Sequence, residues 1–114
     1  MSQITTHVLD ASLGKPAAGV PATLFYLVND DWRTLASGIT NADGRIPNLL
    51  GTQEKPLPAG TYRMHFNTRS YLQANNLPVF YPFVDIVFCM SGEGEHYHIP
   101  LLLSPYSYST YRGS

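Results

Sequence analysis

Short stretches in which apolar and polar residues alternate, separated by turn residues, run along most of the chain. The clearest is QITTHVLD, where Ile4 and Val8 fall on one side of an extended strand and His7 falls on the other. Nine prolines and nine glycines punctuate the sequence, and both residue types interrupt strands and form turns. This pattern predicts an all-β sandwich or barrel.

We predict about eight strands and one short helix. The predicted strands are QITTHVLD, ATLFYLVN, WRTLASGIT, a short strand opening at Arg45 and Ile46, TYRMHFNT, VDIVFCM, HYHIPLLL and YSYSTYRG. ASLGKPAAGVP is predicted as a loop, and SYLQANN as a helix capped by Thr68 or Ser70. The two glycines of SGEGE suit a hairpin loop, so VDIVFCM and HYHIPLLL are predicted to be antiparallel neighbours.

Composition is typical of one globular domain, which we place at residues 1–114. Hydrophobic residues make up 44% of the chain and charged residues 13%, which is enough apolar material for a core. The net charge of −1, without a cluster of Lys or Arg, argues against a nucleic-acid or anionic-membrane partner. We expect a small-molecule or protein partner.

The compartment is predicted from the N-terminus and from cysteine usage. MSQITTHVLDAS lacks the basic and apolar regions of a signal peptide, and no apolar run approaches the roughly 20 residues of a membrane helix. The single cysteine, Cys89, lies in the apolar run IVFCM and is predicted to be a buried, inert thiol. The cytoplasm is therefore the expected location.

The chain contains none of the common hydrolase, phosphate-binding or redox motifs, such as a nucleophile elbow, a Walker loop, CxxC or HExxH. His96 and His98 of HYH could chelate a metal if a third ligand converged, but no Cys, Asp or Glu has obvious ligand spacing. We expect neither a metal nor a cofactor, and we expect His96 to be an exposed hairpin residue. The remaining chemistry is acid and base catalysis by histidine, supported by a cationic group.

Three stretches carry a resemblance to a known family: ITTHVLDASLGKPAAGVP, NADGR and HYHIPLLLSPYSYSTYRGS. They resemble the transthyretin-like family and, more narrowly, its enzymatic branch, the 5-hydroxyisourate hydrolases. The terminal YRGS is the specific signal, because hormone-carrying transthyretins share SPYSYST without it. Phe83 in YPFV departs from the family's usual acidic residue but touches no functional position.

The resemblance implies which residues act. In the hydrolases these are a histidine of the first strand, an arginine after the NADGR turn, a second histidine in HYH, and the YRGS end. On the matching positions, the catalytic set is His7, Arg45, His98 and Ser114, and the substrate-binding set is His7, Arg45, Tyr111, Arg112, Gly113 and Ser114. The implied reaction converts 5-hydroxyisourate to 2-oxo-4-hydroxy-4-carboxy-5-ureidoimidazoline in urate catabolism, without a cofactor.

The resemblance also implies an assembly: a sandwich of two four-stranded sheets, joined edge to edge into dimers, with two dimers forming a homotetramer around a channel. Two other functions stay open. The chain could instead be a carrier that binds aromatic ligands in that channel, or an interaction module of the immunoglobulin or prealbumin-like kind. Deleting the last four residues separates these possibilities, because a module should tolerate the deletion and the hydrolase should not.

Overall fold

The computed structural model describes residues 3–51 and 55–113. Within these ranges the chain forms eight strands and one short helix. In chain order they are β1 (Ile4–Asp10), β2 (Lys15–Pro16), β3 (Pro21–Val28), β4 (Asp31–Ile39), β5 (Gly60–Phe66), α1 (Arg69–Ala74), β6 (Val84–Met90), β7 (Tyr97–Ser104) and β8 (Ser107–Ser109). The predicted all-β class and its one short helix are confirmed.

The strands form two sheets of four. The first has the order β2-β1-β7-β8 and the second the order β4-β3-β5-β6. β1 and β7 run parallel, with Thr5 opposite His98 and His7 opposite Pro100, whereas the other strand pairs are antiparallel. The parallel pair brings the first strand next to the HYH segment, although the two are far apart in sequence.

The core lies between the sheets and follows the alternation seen in the sequence. Ile4 and Val8 of β1 and Leu101 of β7 are fully buried, as are Leu24 and Met64 of the second sheet. The residues that alternate with them in β1 are only half-buried. Burying apolar side chains at about 25 cal/mol per Å² drives the two sheets together, so the polar face of β1 is left on the outside of the sandwich.

Three predictions of local structure are wrong in detail. Arg45 and Ile46 do not open a strand; Arg45 makes one isolated bridge to His7 instead. The predicted loop ASLGKPAAGVP contains the two-residue strand β2, which pairs with the end of β1. The last strand is also shorter than predicted, because β8 ends at Ser109 and only Gly113 pairs again further on.

β6 and β7 are not the antiparallel neighbours that the SGEGE loop predicts. β6 pairs with β5 at the edge of the second sheet, and β7 pairs with β1 and β8 in the first. The connecting segment therefore crosses from one sheet to the other. A glycine-containing loop of this length permits either arrangement, and local sequence does not determine the choice.

The prediction for Cys89 is wrong as well, because its side chain is exposed. β6 is an edge strand, and its outward residues are accessible, with Val87 56% exposed. At the helix, Thr68 holds the N-cap position, but its hydroxyl donates to the carbonyl of Tyr81 and not to the helix itself. Across the described ranges, no helix has the length and apolar character needed to cross a membrane.

Candidate functional site

The turn formed by NADG positions Arg45 next to the first strand. The side-chain oxygen of Asn41 accepts hydrogen bonds from the backbone N–H of Asp43 at 2.9 Å and of Arg45 at 3.1 Å. The backbone N–H of Asn41 in turn donates to the carbonyl of Arg45 at 2.7 Å. Such Asx-type bonds stabilise a tight turn, so the backbone from which the exposed Arg45 projects is held firmly.

Gly44 allows this turn to touch β1. Its φ of +75° lies in the left-handed region, and a Cβ at this position would lie 2.3 Å from the carbonyl oxygen of Val8 and 3.3 Å from Cδ2 of His7. The carbonyl of Gly44 accepts a hydrogen bond from the N–H of Val8 at 2.8 Å. Only glycine permits this approach, which places Arg45 opposite His7.

His98 lies on the outward face of β7, directly opposite Thr5 of β1. Its Nδ1 is 2.9 Å from the Thr5 hydroxyl, and Nε2 of His96 is also 2.9 Å from that hydroxyl. One threonine oxygen therefore joins two imidazole rings. His96 is half-buried in this arrangement, so the prediction that it is an exposed hairpin residue is wrong.

The other side of His98 is covered by the C-terminal segment. Gly113 donates its N–H to the carbonyl of His98 at 2.9 Å and accepts from the N–H of His98 at 3.4 Å. The His98 ring packs against Gly113 so closely that a Cβ there would lie 2.7 Å from Cδ2. Gly113 of YRGS thus contacts His98 of HYH. The resemblance implies that these two residues belong to one site.

The surroundings of His98 favour its neutral form. Burial lowers the pKa of the ring below its ordinary value of 6.5, and the positive charges of Arg45, His7 and His96 lower it further. A hydrogen bond to the backbone of Thr5 acts in the opposite direction without cancelling the shift. A neutral imidazole at neutral pH is able to accept a proton.

The remaining residues of the predicted site are Arg112, Tyr111 and Ser114. The guanidinium of Arg112 stacks over the ring of Tyr97, 4.5 Å from its centroid, and lies 3.7 Å from a carboxylate oxygen of Glu95. Tyr111 is 58% exposed and lines a groove along β6 together with Val87. Ser114 lies outside the described residues.

A cavity of about 360 Å³ opens beside this cluster. Its lining residues come from β1 and the segment after β4: Thr5, Thr6, Asn41, Asp43, Arg45, Ile46, Pro47 and Asn48. This volume is at the lower end of the range for small-molecule sites. Within residues 3–51 and 55–113, no three or more His, Cys, Asp or Glu side chains are grouped so that they could hold a metal ion.

The cluster therefore contains His7, Arg45, His98 and Gly113 from the predicted set, and adds Thr5, which the sequence did not single out. The outward position of Thr5 in β1 was visible in the alternation, but its contact with two histidines depends on the register between β1 and β7. A sequence profile of the HIUase/Transthyretin family matches residues 4–113. The chain belongs to the HIUase/Transthyretin family.

Members of this family resemble the chain over nearly its whole length. The 5-hydroxyisourate hydrolase of Mus musculus is 46% identical over 116 residues, covering 99% of this chain and 96% of the mouse protein. The structure of Klebsiella pneumoniae 5-hydroxyisourate hydrolase matches with a TM-score of 0.83 at 37% identity, covering 100% of both chains. Sea bream transthyretin in complex with thyroxine gives a TM-score of 0.89 at 36% identity, covering 98% of this chain and 95% of that one. The predicted family and its two-sheet fold are thus confirmed.

Proposed function

We propose that this protein hydrolyses 5-hydroxyisourate to 2-oxo-4-hydroxy-4-carboxy-5-ureidoimidazoline, a step of urate catabolism. The observation that carries the proposal is the cluster on the outer face of β1 and β7. There His98 has a lowered pKa and lies near His7 and Arg45. The family relatives named for this activity support the same substrate.

The reaction opens the six-membered ring of the substrate at its N1–C6 amide. Water attacks the carbonyl carbon, and a base must take one of its protons as the new C–O bond forms. The C–N bond then breaks, and the leaving nitrogen takes up a proton. His98 and His7 position and deprotonate the water, and one of the two returns the proton. The lowered pKa of His98 favours the neutral ring that can accept this proton.

Arg45 stabilises the negative charge that develops on the attacked oxygen or resides on the purine-like ring. A guanidinium offers two parallel N–H donors and keeps its charge at every relevant pH. The Asn41 turn holds the Arg45 backbone against β1, so the position of this backbone is set before the substrate binds. Preorganised donors of this kind stabilise the transition state more effectively than donors that must first be ordered.

The C-terminal residues complete the site. Gly113 lets the backbone lie against the His98 ring, while Ser114 supplies a hydroxyl. Tyr111 narrows the approach to the substrate, and Arg112 either contacts the substrate or pairs across a subunit interface. Replacing Ser114 by Ala should therefore reduce activity without unfolding the protein.

The active form in this proposal is a homotetramer in the cytoplasm, with the face that carries His7 and His98 lining a channel between two dimers. Exposed apolar side chains on the edge strands support association: Val87 of β6 is 56% exposed and Tyr108 of β8 is 43% exposed. Contiguous exposed apolar surface is typical of an interface. Light scattering measures the mass of the assembly, and cell fractionation tests the compartment.

The decisive experiment follows the ultraviolet absorbance of 5-hydroxyisourate, made freshly from urate with urate oxidase, with and without catalytic amounts of the protein. The wild-type protein should accelerate the decay. His98→Ala should reduce the rate by roughly 10²- to 10⁴-fold, the usual contribution of one acid or base group.

The matched control is His65→Ala. His65 is also a half-buried strand histidine, but it pairs with Asp85 in the second sheet at 2.7 Å. The His65→Ala substitution should therefore leave the rate unchanged. Decay at the spontaneous rate with wild-type protein would refute the hydrolase and favour the carrier. A loss below about threefold in a folded His98→Ala tetramer would refute the role of His98.

A further inference from the structure

The Thr5 hydroxyl lies between two imidazole nitrogens and can donate to only one of them. It is 2.9 Å from Nδ1 of His98 and 2.9 Å from Nε2 of His96. A hydroxyl has a single proton and two lone pairs. If both contacts are hydrogen bonds, the hydroxyl either accepts from both ring nitrogens, or donates to one of them and accepts from the other.

These possibilities leave two arrangements for His98. In the first, Nδ1–H of His98 donates to Thr5, and the Thr5 hydroxyl either donates to Nε2 of His96 or accepts from it. In the second, the Thr5 hydroxyl donates to Nδ1 of His98 and accepts from Nε2–H of His96, and a neutral His98 then carries its proton on Nε2. The two arrangements differ chemically, because a histidine whose Nε2 is protonated cannot use that atom as a base. Among the described residues, Nε2 of His98 has no hydrogen-bond partner, so it is the atom left for the substrate side.

The proposed chemistry requires the first arrangement. His98 can act as a base toward water only if Nε2 is unprotonated, and the proton of the neutral ring then lies on Nδ1. Nδ1 is the nitrogen of His98 that meets the Thr5 hydroxyl, at 2.9 Å.

We infer that Thr5 is a positioning residue which, together with His96, holds His98 in the tautomer with Nδ1 protonated and Nε2 free to accept a proton from water. This inference rests on the proposed hydrolase function. Thr5 does not itself react with the substrate. It acts by fixing the orientation and the protonation pattern of His98, as outer partners fix a functional histidine in many sites.

His96 helps to set the direction of the chain of hydrogen bonds. When its Nε2 is unprotonated, the Thr5 hydroxyl donates to His96 and keeps its lone pairs for Nδ1–H of His98. When Nε2 of His96 carries the proton, the hydroxyl either accepts from both rings or turns toward Nδ1 of His98. In the last case a neutral His98 holds its proton on Nε2, and that atom is not available as the base.

The kinetic test compares Thr5→Val with Thr5→Ser. Valine keeps the shape of the side chain but removes the hydroxyl, and kcat should fall by about 10- to 100-fold, the usual effect of losing a partner that orients a histidine. KM should change much less, because the substrate contacts remain. Serine should recover most of the loss. Thr34→Val, on the exposed face of β4, is the matched control, and a wild-type kcat in Thr5→Val would overturn the inference.

The structural test is ¹⁵N NMR of the histidine rings, which distinguishes the two neutral tautomers and does not require activity. In the wild-type protein, neutral His98 should carry its proton on Nδ1, and in Thr5→Val this preference should be lost. A wild-type His98 with its proton on Nε2 would overturn the inference even if the protein hydrolyses 5-hydroxyisourate. A protein without that activity would refute the proposed function, while the spectra would still decide the tautomer.

His96→Leu approaches the same hydrogen-bond chain from its other end, and it keeps the inference testable should Thr5→Val fail to fold. Leucine cannot accept from Thr5, so the hydroxyl is free to donate to Nδ1 of His98. We expect the population of the Nε2-protonated tautomer to rise and kcat to fall, again with little change in KM. An unchanged His98 spectrum in a folded His96→Leu protein would show that His96 does not set the direction.

Discussion

The His98 ring rests directly on Gly113, and the two backbones exchange hydrogen bonds of 2.9 and 3.4 Å. A Cβ added to Gly113 would lie 2.7 Å from Cδ2 and 2.9 Å from Cβ of His98. Since Cβ of His98 is bonded directly to the backbone, rotation of the side chain cannot relieve this contact. Gly113→Ala should displace the ring and lower the rate of 5-hydroxyisourate hydrolysis by about 10- to 100-fold, the effect expected for a misplaced catalytic group.

The fold should tolerate this substitution, because Gly113 lies outside the strands of the two sheets and is only half-buried. Its melting temperature, followed by circular dichroism, should therefore stay near that of the wild type. Ser109→Ala, at an exposed position of β8, provides the nearby control and should retain full activity. A fully active Gly113→Ala enzyme would show that the position of the His98 ring is not restricted by this contact.

Local patterns were enough to predict the strands that form the site. Alternation in QITTHVLD placed Ile4 and Val8 in the core and His7 on the outside, and burial confirms this. The contact between Thr5 and His98 could not be predicted, because these residues are 93 positions apart and the register of two distant strands is not a local property. Residue chemistry alone suggested histidine catalysis, whereas the resemblance supplied the substrate and the importance of YRGS.

The errors concern relationships between strands. The hydrophobic run IVFCM was interpreted as buried, but β6 lies at a sheet edge, where Val87 and Cys89 face outward. The loop SGEGE was interpreted as a hairpin, but it connects two different sheets. In both cases the periodicity identified a strand correctly, and the position of that strand in the sandwich was decided by packing with distant parts of the chain.

The pH dependence of catalysis should reflect the lowered pKa of His98. Burial, followed by the charges of Arg45, His7 and His96, disfavours the protonated ring. The midpoint of the acid limb of the kcat/KM profile should therefore lie below 6.5, the ordinary pKa of histidine. Arg45→Gln removes one of these charges. The pKa of His98 should then rise, and the limb should move to higher pH even though the overall rate is lower.

Rate profiles of the wild type and of Arg45→Gln, together with NMR titration of the His98 ring, measure this shift. Lys15→Gln, which removes a cation from the exposed strand β2, is the control and should leave the limb in place. A wild-type limb above 6.5, or a shift to lower pH in Arg45→Gln, would contradict the electrostatic explanation.

Gly44→Ala should destabilise the protein through its contact with β1. Both Gly44 and Gly14 have positive φ, +75° and +69°, but an added Cβ meets the Val8 carbonyl oxygen at 2.3 Å only at Gly44; at Gly14 nothing lies within 4 Å. Gly14→Ala should therefore lower the free energy of unfolding by about 1–2 kcal/mol, because of backbone strain. Gly44→Ala should lower the free energy of unfolding, measured in urea, by clearly more. It should also lower the activity, since the turn carries Arg45. Equal losses in the two variants would show that the turn moves away without penalty.

Asp10 and Tyr71 tie the end of β1 to the helix. The Tyr71 hydroxyl donates to Oδ2 of the buried Asp10 at 2.6 Å, and Ser12 and Leu13 donate to Oδ1. Burial alone would raise the pKa of Asp10, but these hydrogen bonds from Ser12, Tyr71 and the backbone together lower it. Asp10 therefore contributes stability that is complete above its unfolded pKa of 3.8 and is lost as pH falls through the lower folded value.

Tyr71→Phe leaves one oxygen of this buried carboxylate without its donor and should reduce the free energy of unfolding by about 1–3 kcal/mol at neutral pH. Because the folded pKa of Asp10 then rises, acid unfolding should begin at a higher pH than in the wild type. Urea denaturation and an acid titration followed by circular dichroism measure both effects. Tyr81→Phe removes a tyrosine hydroxyl for which no hydrogen bond is found within the described ranges, and it should change neither quantity. If Tyr71→Phe matched Tyr81→Phe in both measurements, the bond to Asp10 would contribute nothing to stability.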